Sequence, residues 1–367
     1  MSEPLISPRL IFDCHLDISM NALEFNRDQR WSLEKIRRSE LTATDGVPGR
    51  ARNTVCLPEM RRGRVGLCVA TQIARFSPRF GSLPGWRSPE QAWAQTQGQL
   101  AYYRAMEDCG EMVQLRTWAQ VEAHAELWRH ASVEEAARLP IGYLLSLEGA
   151  DSVLSWRHLE KSRADGLIAL GPVHYGPGIY GHGTDDEGPL TPKGRDLLKE
   201  MERLGLILDV THYCDESFWD ALDHFSGPIW ASHSNCRAIV NWNRQFNDEQ
   251  IKVLIERGAV IGMAFDAIMM VEGWAHHRST PADFSLTVEK ICEHIDHICQ
   301  IAGNATHVGI GTDLDGGFGT EQTPIDLDSI VDVIRIAHPL LKRGYTHQEI
   351  DGIFQGNFLR FLRKHLV

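Results

Sequence analysis

"LTPKGRDLLKEMERLGLILDVTH", residues 190–212, packs a helix, a strand and a terminal histidine into one short stretch. Thr191 can cap a helix, and Pro192 suits its first turn, where a missing N–H costs nothing. Gly205 marks the helix end. The run that follows, 205–212 (GLILDVTH), is almost continuously apolar until it reaches His212. Such a strand suits a parallel sheet covered on both faces. A polar side chain at its C-terminal end asks what it holds there.

The same grammar recurs along the chain. Strands are expected at 9–17, 65–73, 142–149, 166–174, 205–212, 228–233, 259–265 and 307–313. Helix punctuation falls between them: Asn247 before "DEQIKVLIER" with Gly258 after it, and Thr346 with Glu349 as a capping-box pattern. Eight strands alternating with helices predict a (β/α)8 TIM-type barrel, read as one domain over residues 1–367. Residues 18–64 are long for one connection and predict a small N-terminal βα insertion. Residues 266–284, with Trp274, His276 and His277, read as a loop over the barrel mouth.

Composition narrows the function classes. The 367 residues are 43% hydrophobic and 23% charged, an ordinary globular balance. The net charge of −12 argues against nucleic acid or an anionic membrane as partner. The start, MSEPLISPRL, lacks a basic, then apolar leader, and no run is long enough to span a bilayer. A cytoplasmic protein is expected, with a homodimer as one possible assembly. The eight cysteines form no C-x-x-C pair, and most read as reduced core thiols.

Polar residues then gather at strand ends. "IFDCHLDISM", residues 11–20, puts His15 and Asp17 on one side of the first strand. The third strand ends in Glu148, the fourth in His174, the fifth in His212, the sixth in His233 and the eighth in Asp313. In a barrel all these ends face one mouth. Taken singly, each has a bland reading as a core histidine or a turn residue; their coincidence at strand ends favours a shared site. Imidazole and carboxylate donors suit zinc and related divalent ions. They exceed what one tetrahedral zinc with an open position needs, so two ions ~3.5–4 Å apart are expected. Only a carboxylate can span both, and Glu148 is the natural bridge.

These residues resemble the membrane dipeptidase (renal dipeptidase) family of the amidohydrolase superfamily. "DCHLD" stands where the family has His-x-Asp, and "LEG" where it has its bridging Glu. The likeness is densest from residue 190 through "PIWASHSNCRAIVNWNRQFNDEQIKVLIERGAVIGMAF" and in "HVGIGTDLDG". It implies a binuclear zinc site in which His15 and Asp17 hold one ion, His212 and His233 the other, and Glu148 both. It implies that His174 contacts substrate and steadies the tetrahedral intermediate, and that Asp313 handles the proton. Arg244, eleven positions after His233, matches the arginine that meets the substrate carboxylate. Two departures touch the pocket and not the metals. "GPVHYGPGIYGHG" replaces the family's Thr-His context, and Asp266 stands where an aromatic residue follows the seventh strand. Hydrolysis is therefore better supported than dipeptide specificity.

The expected reaction is hydrolysis of a dipeptide amide bond by attack of a metal-bridging hydroxide. The alternative keeps the site for another small amide, such as an N-acyl amino acid. A barrel that binds without turnover leaves Asp313 without a purpose. A glycosidase using Glu148 and Asp313 leaves His15, His212 and His233 unexplained. "GPGIYG", 176–181, matches a dinucleotide pattern but opens no helix, so it reads as a loop near the substrate. His294 and His297 read as a solvated helix face, and Asp315 as a possible partner of Asp313 in orienting a ligand or sharing the proton.

Overall fold

The computed structural model describes residues 9–47, 49–77, 85–276 and 278–366. The expected N-terminal stretch before residue 9 and His277 lie outside the described residues. The strands are β1 Ile11–Leu16, β2 Val65–Ile73, β3 Met112–Gln114, β4 Ile141–Glu148, β5 Leu167–Gly171, β6 Ile207–Asp209, β7 Ile229–Trp230, β8 Ile261–Met263 and β9 Val308–Ile310. Their pairings are parallel, in the order β7-β6-β5-β4-β2-β1-β9-β8. A bridge between Ala231 and Ile261 brings β7 toward β8 and nearly closes the barrel.

Each expected strand supplies one stave of this ring. β3 is not among them. It has 3 residues and pairs only with β4, outside the ring; an apolar run that short carries no period. β2 and β4 run the full length expected, while the other six staves are shorter than their apolar runs. The run 205–212 is paired only over Ile207–Asp209, because the chain then turns and reaches His212 with φ of 70°.

The helices begin where their caps dictate. The Thr191 side chain accepts from the Gly194 N–H, and Gly205 closes Pro192–Leu204 in the left-handed conformation. Asn247 with Gln250, and Thr346 with Glu349, form reciprocal boxes at Asp248–Glu256 and His347–Asp351. The insertion between β1 and β2 carries helices Ile18–Leu23, Leu33–Glu40 and Leu57–Arg62. It has a small apolar cluster of its own, Leu33, Ile36 and Cys56. The buried Arg27 grips Glu40 through two nitrogens at 2.8 and 3.1 Å. No helix of the described residues is long and apolar enough to cross a membrane.

One expectation is corrected. His294 is fully buried, not solvated: it shares the inward face of Glu289–Ala302 with Ile291, Ile295 and Ile298, and its Nδ1 accepts from the Cys236 N–H at 3.1 Å. His297 does reach the partly exposed side, where it meets Asp248 at 2.7 Å.

Buried carboxylates lock the strand ends that carry the site. Asp13 Oδ1 accepts from the Thr312 N–H at 2.9 Å and from the His15 N–H at 3.2 Å, and its Oδ2 accepts from the Thr312 hydroxyl at 2.5 Å. Asp209 Oδ1 accepts from Thr211 and Ser232 N–H groups at 3.1 and 3.0 Å. At the closing seam, Gly262 and Gly311 admit the Ser232 carbonyl; a Cβ there would meet its oxygen at 2.0 and 1.8 Å. Replacing Thr312 by Val removes a hydroxyl from a buried carboxylate, at a cost of about 1.5–3 kcal/mol. Thermal melting should show Thr312→Val well below wild type and Thr312→Ser close to it. Equal melting of Val and Ser variants would mean that the Asp13 clasp adds nothing.

Candidate metal centre

Strand ends converge at one mouth, and Glu148 lies at the centre of the group. Its two oxygens face different neighbours. Oε1 lies 3.1 Å from His212 Nε2, 3.6 Å from His233 Nε2 and 4.0 Å from His174 Nε2. Oε2 lies 3.5 Å from His15 Nε2. His15 Nε2 is also 3.9 Å from Asp17 and 3.8 Å from Asp313. Donor atoms within 4.8 Å of one another define the groups His15–Asp17–Glu148, Glu148–His212–His233 and His15–His233–Asp313. All seven residues expected at strand ends are thus brought together.

The backbone aims two of them at a cost. His212 and Asp313 have φ of 70° and 55°, a left-handed conformation that is uncommon outside glycine. Strain of this kind costs about 1–3 kcal/mol and persists where the surroundings enforce it. Here it turns both side chains from strand ends into the mouth.

A second layer orients the imidazoles. Ser232 Oγ lies 2.9 Å from His233 Nδ1 and 3.3 Å from His15 Nδ1. Thr184 Oγ1 lies 3.1 Å from His212 Nδ1. With Nδ1 engaged, each ring leaves Nε2 facing Glu148, the arrangement typical of metal-bound histidine. Asp315 Oδ1 accepts from the Asp17 N–H at 2.8 Å, which gives Asp315 a positioning role behind Asp17. Sequence reasoning missed Ser232 and Thr184. Ser232 adjoins His233 in "ASHS", a usable signal; Thr184 sits in a loop that offers none.

The electrostatics favour a cation. Burial holds His212 and His233 well below the usual imidazole range, and lowers His174 to about 4. As neutral rings they each keep a lone pair that can ligate a cation. Burial raises Asp17 and Asp313 well above the usual carboxylate range, with Glu148 adding to both. Burial opposes a charge on His15, but Glu148, Asp17 and Asp313 outweigh it and raise its proton affinity, so the surrounding acids call for positive charge there. His15 Nε2, Asp17 Oδ1 and Asp315 Oδ2 are buried without hydrogen-bond partners. Buried polar atoms are seldom left so. Crowded acids, neutral imidazoles and orphaned donor atoms fit divalent metal.

Arg244 is buried, not a surface arginine. Its Nη2 donates to the His233 carbonyl at 3.0 Å and lies 3.3 Å from His212 Nε2; its Nη1 is buried without a partner. Asp266 is buried beside the site, accepts from Gln322 Nε2 at 2.8 Å, and is lifted by burial to about 7.

A family model for membrane dipeptidase, peptidase family M19, matches residues 2–366. The chain belongs to the membrane dipeptidase family. This is a family of metallo-dipeptidases. Among its relatives is an uncharacterized protein of the pqqA 5′ region from Klebsiella pneumoniae. It is 32% identical over 216 residues, 56% of this chain and 75% of that protein. Dipeptidase tcpJ of Claviceps purpurea is 27% identical over 203 residues, 54% of this chain. The match spans only 41% of that dipeptidase's length. A metallo peptidase from Rhodobacter sphaeroides, solved with a phosphinate mimic of L-Ala-D-Ala, shares the fold. Its TM-score is 0.76 at 22% identity, over 98% of this chain and 100% of that one.

A cation that relieves this crowding binds the folded state preferentially. At a thousandfold excess over Kd it adds about 4 kcal/mol. Zinc added to chelator-treated protein should therefore raise the melting temperature, and magnesium at equal concentration should raise it less. An unchanged melting curve with zinc would deny a metal site here.

Proposed function

We propose that residues 1–367 form one zinc-dependent dipeptidase domain that hydrolyses small dipeptides. His15 and Asp17 would hold one ion, His212 and His233 a second, and Glu148 both. The observation that carries this reading is the division of Glu148: Oε2 faces His15, while Oε1 faces His212 and His233. Bound zinc supplies Lewis acidity and a nucleophile at neutral pH.

The chain's own residues do the rest. Asp313 stands 3.8 Å from His15 and 3.9 Å from His233, at the open side of the cluster. Burial raises its proton affinity, which suits a group that takes a proton from the attacking water and returns it to the leaving amine. His174, kept neutral by burial, retains one ring N–H to donate to the developing oxyanion. Arg244 offers a buried, unpartnered Nη1 to the substrate's C-terminal carboxylate. That grip would set the scissile carbonyl over Glu148. Asp266 adds negative charge beside Asp313. Together they favour a substrate with a free ammonium group over an N-acyl amino acid.

Kinetics on matched substrates test this. The zinc-loaded protein should hydrolyse free dipeptides faster than their C-terminal amides or N-acetyl derivatives. Asp313→Asn should retain its zinc and lose ~10²–10⁴ in kcat, the range for general acid–base groups. Arg244→Lys keeps charge without the planar fork, and should lose ~10–100-fold in kcat/KM on free dipeptides and less on the amides. Equal rates on free and blocked substrates would replace the dipeptidase reading with a broader amidase.

A further inference from the structure

The mouth contains a second guanidinium that no step above uses. Arg75 stands two positions past the end of β2, on the same rim as the strand-end residues. Its Nε and Nη1 are buried and lack hydrogen-bond partners among the described residues. Other arginines of this chain that are partly buried use their nitrogens to tie loops: Arg116 donates to Ala164 and Asp165 carbonyls at 3.1 and 2.9 Å, and Arg257 to Phe225 and Gly227 at 2.9 and 3.1 Å. Arg75 does nothing of the kind with its side chain. The two acids that act on it electrostatically do not serve it either. Asp151 spends its oxygens on the Phe76 N–H at 3.1 Å and the Ile179 N–H at 2.9 Å, and Asp185 is exposed. The backbone, by contrast, is pinned, since the Arg75 carbonyl accepts from the Trp86 N–H at 2.7 Å. A fixed backbone presenting a partly desolvated, unsatisfied cation is costly unless a ligand completes it.

Its position tells what that ligand is. Arg75 and Arg244 both act electrostatically on His174. In the ring, β2 and β7 stand four places apart among eight, on opposite sides of the barrel. Arg75 follows β2, and Arg244 lies in the loop after β7. A dipeptide held at its C-terminus by Arg244 and cleaved over Glu148 would extend across the mouth, toward the β2 side. The group that arrives there belongs to the amino-terminal residue. We infer that Arg75 receives a side-chain carboxylate of the amino-terminal residue, and that the enzyme prefers dipeptides beginning with an acidic residue. This rests on the dipeptidase reading and deepens it.

The test compares isosteric substrates. Wild type should show kcat/KM higher for Glu-Ala than for Gln-Ala by ~10–100-fold, the value of hydrogen bonds to a charged group. Arg75→Met should bring that ratio near one, and Arg75→Lys should leave it in between, with melting curves confirming that both variants fold. Binding supplies a readout independent of turnover. Calorimetry on Asp313→Asn should give the same preference for Glu-Ala, and Asp313→Asn with Arg75→Met should lose it. Equal kcat/KM for the pair in wild type overturns the inference, as does a preference that survives in folded Arg75→Met. A preference for Ala-Glu over Ala-Gln in its place also overturns it. If wild type cleaves no dipeptide, the dipeptidase reading fails, and the calorimetric ratio still decides the role of Arg75; equal or absent binding of the pair counts against it.

Discussion

Everything at the mouth of this barrel depends on the placement of Glu148. A carboxylate at the end of β4 stands among four imidazoles and beside two further acids, with its side chain almost wholly out of water. In a low-dielectric interior such crowding is expensive unless charges are paired or a cation joins them. The two oxygens of Glu148 look in different directions, toward His15 on one side and toward His212 and His233 on the other. That division turns a ring of strand ends into two donor sets with a shared member.

The rest of the fold keeps that arrangement from relaxing. Asp13 and Asp209 are spent on backbone N–H groups, so that the strand ends cannot drift apart. Gly262 and Gly311 allow the seam beside His233 to close without a side chain in the way. Ser232 serves two imidazoles at once, and its own amide is held by Asp209. His212 and Asp313 accept a left-handed backbone at the strand ends from which they join the cluster. Stability is thus invested in a site that is poorly satisfied without a ligand, a pattern common where function and packing conflict.

Much of this was legible in the sequence because barrel geometry converts order along the chain into position around a ring. A polar residue ending a strand must face the mouth. That single rule placed His15, Asp17, Glu148, His174, His212, His233 and Asp313 together. Helix starts were readable for a local reason: Thr191, Asn247 and Thr346 cap their own backbone within a few residues. What escaped depends on distant contacts or on weak local signals. Ser232 adjoins His233, but its reach to His15 spans 217 positions of the chain and leaves no local mark. β3 is too short to carry a period. His294 shares a helical face with three isoleucines, which a stricter count of the period would have turned inward. Arg75 stands out only when its unsatisfied nitrogens can be seen. The family match secures a metallo-dipeptidase ancestry.

The most direct test of the account is the metal stoichiometry of wild type and Glu148→Gln. Protein loaded with zinc and dialysed should hold two equivalents, and anomalous diffraction should find one ion on each side of the Glu148 carboxylate. Glu148→Gln, which keeps shape but cannot bridge as an anion, should hold one equivalent or fewer. A single ion in wild type, retained unchanged in Glu148→Gln, would contradict the shared-carboxylate site on which the reading rests.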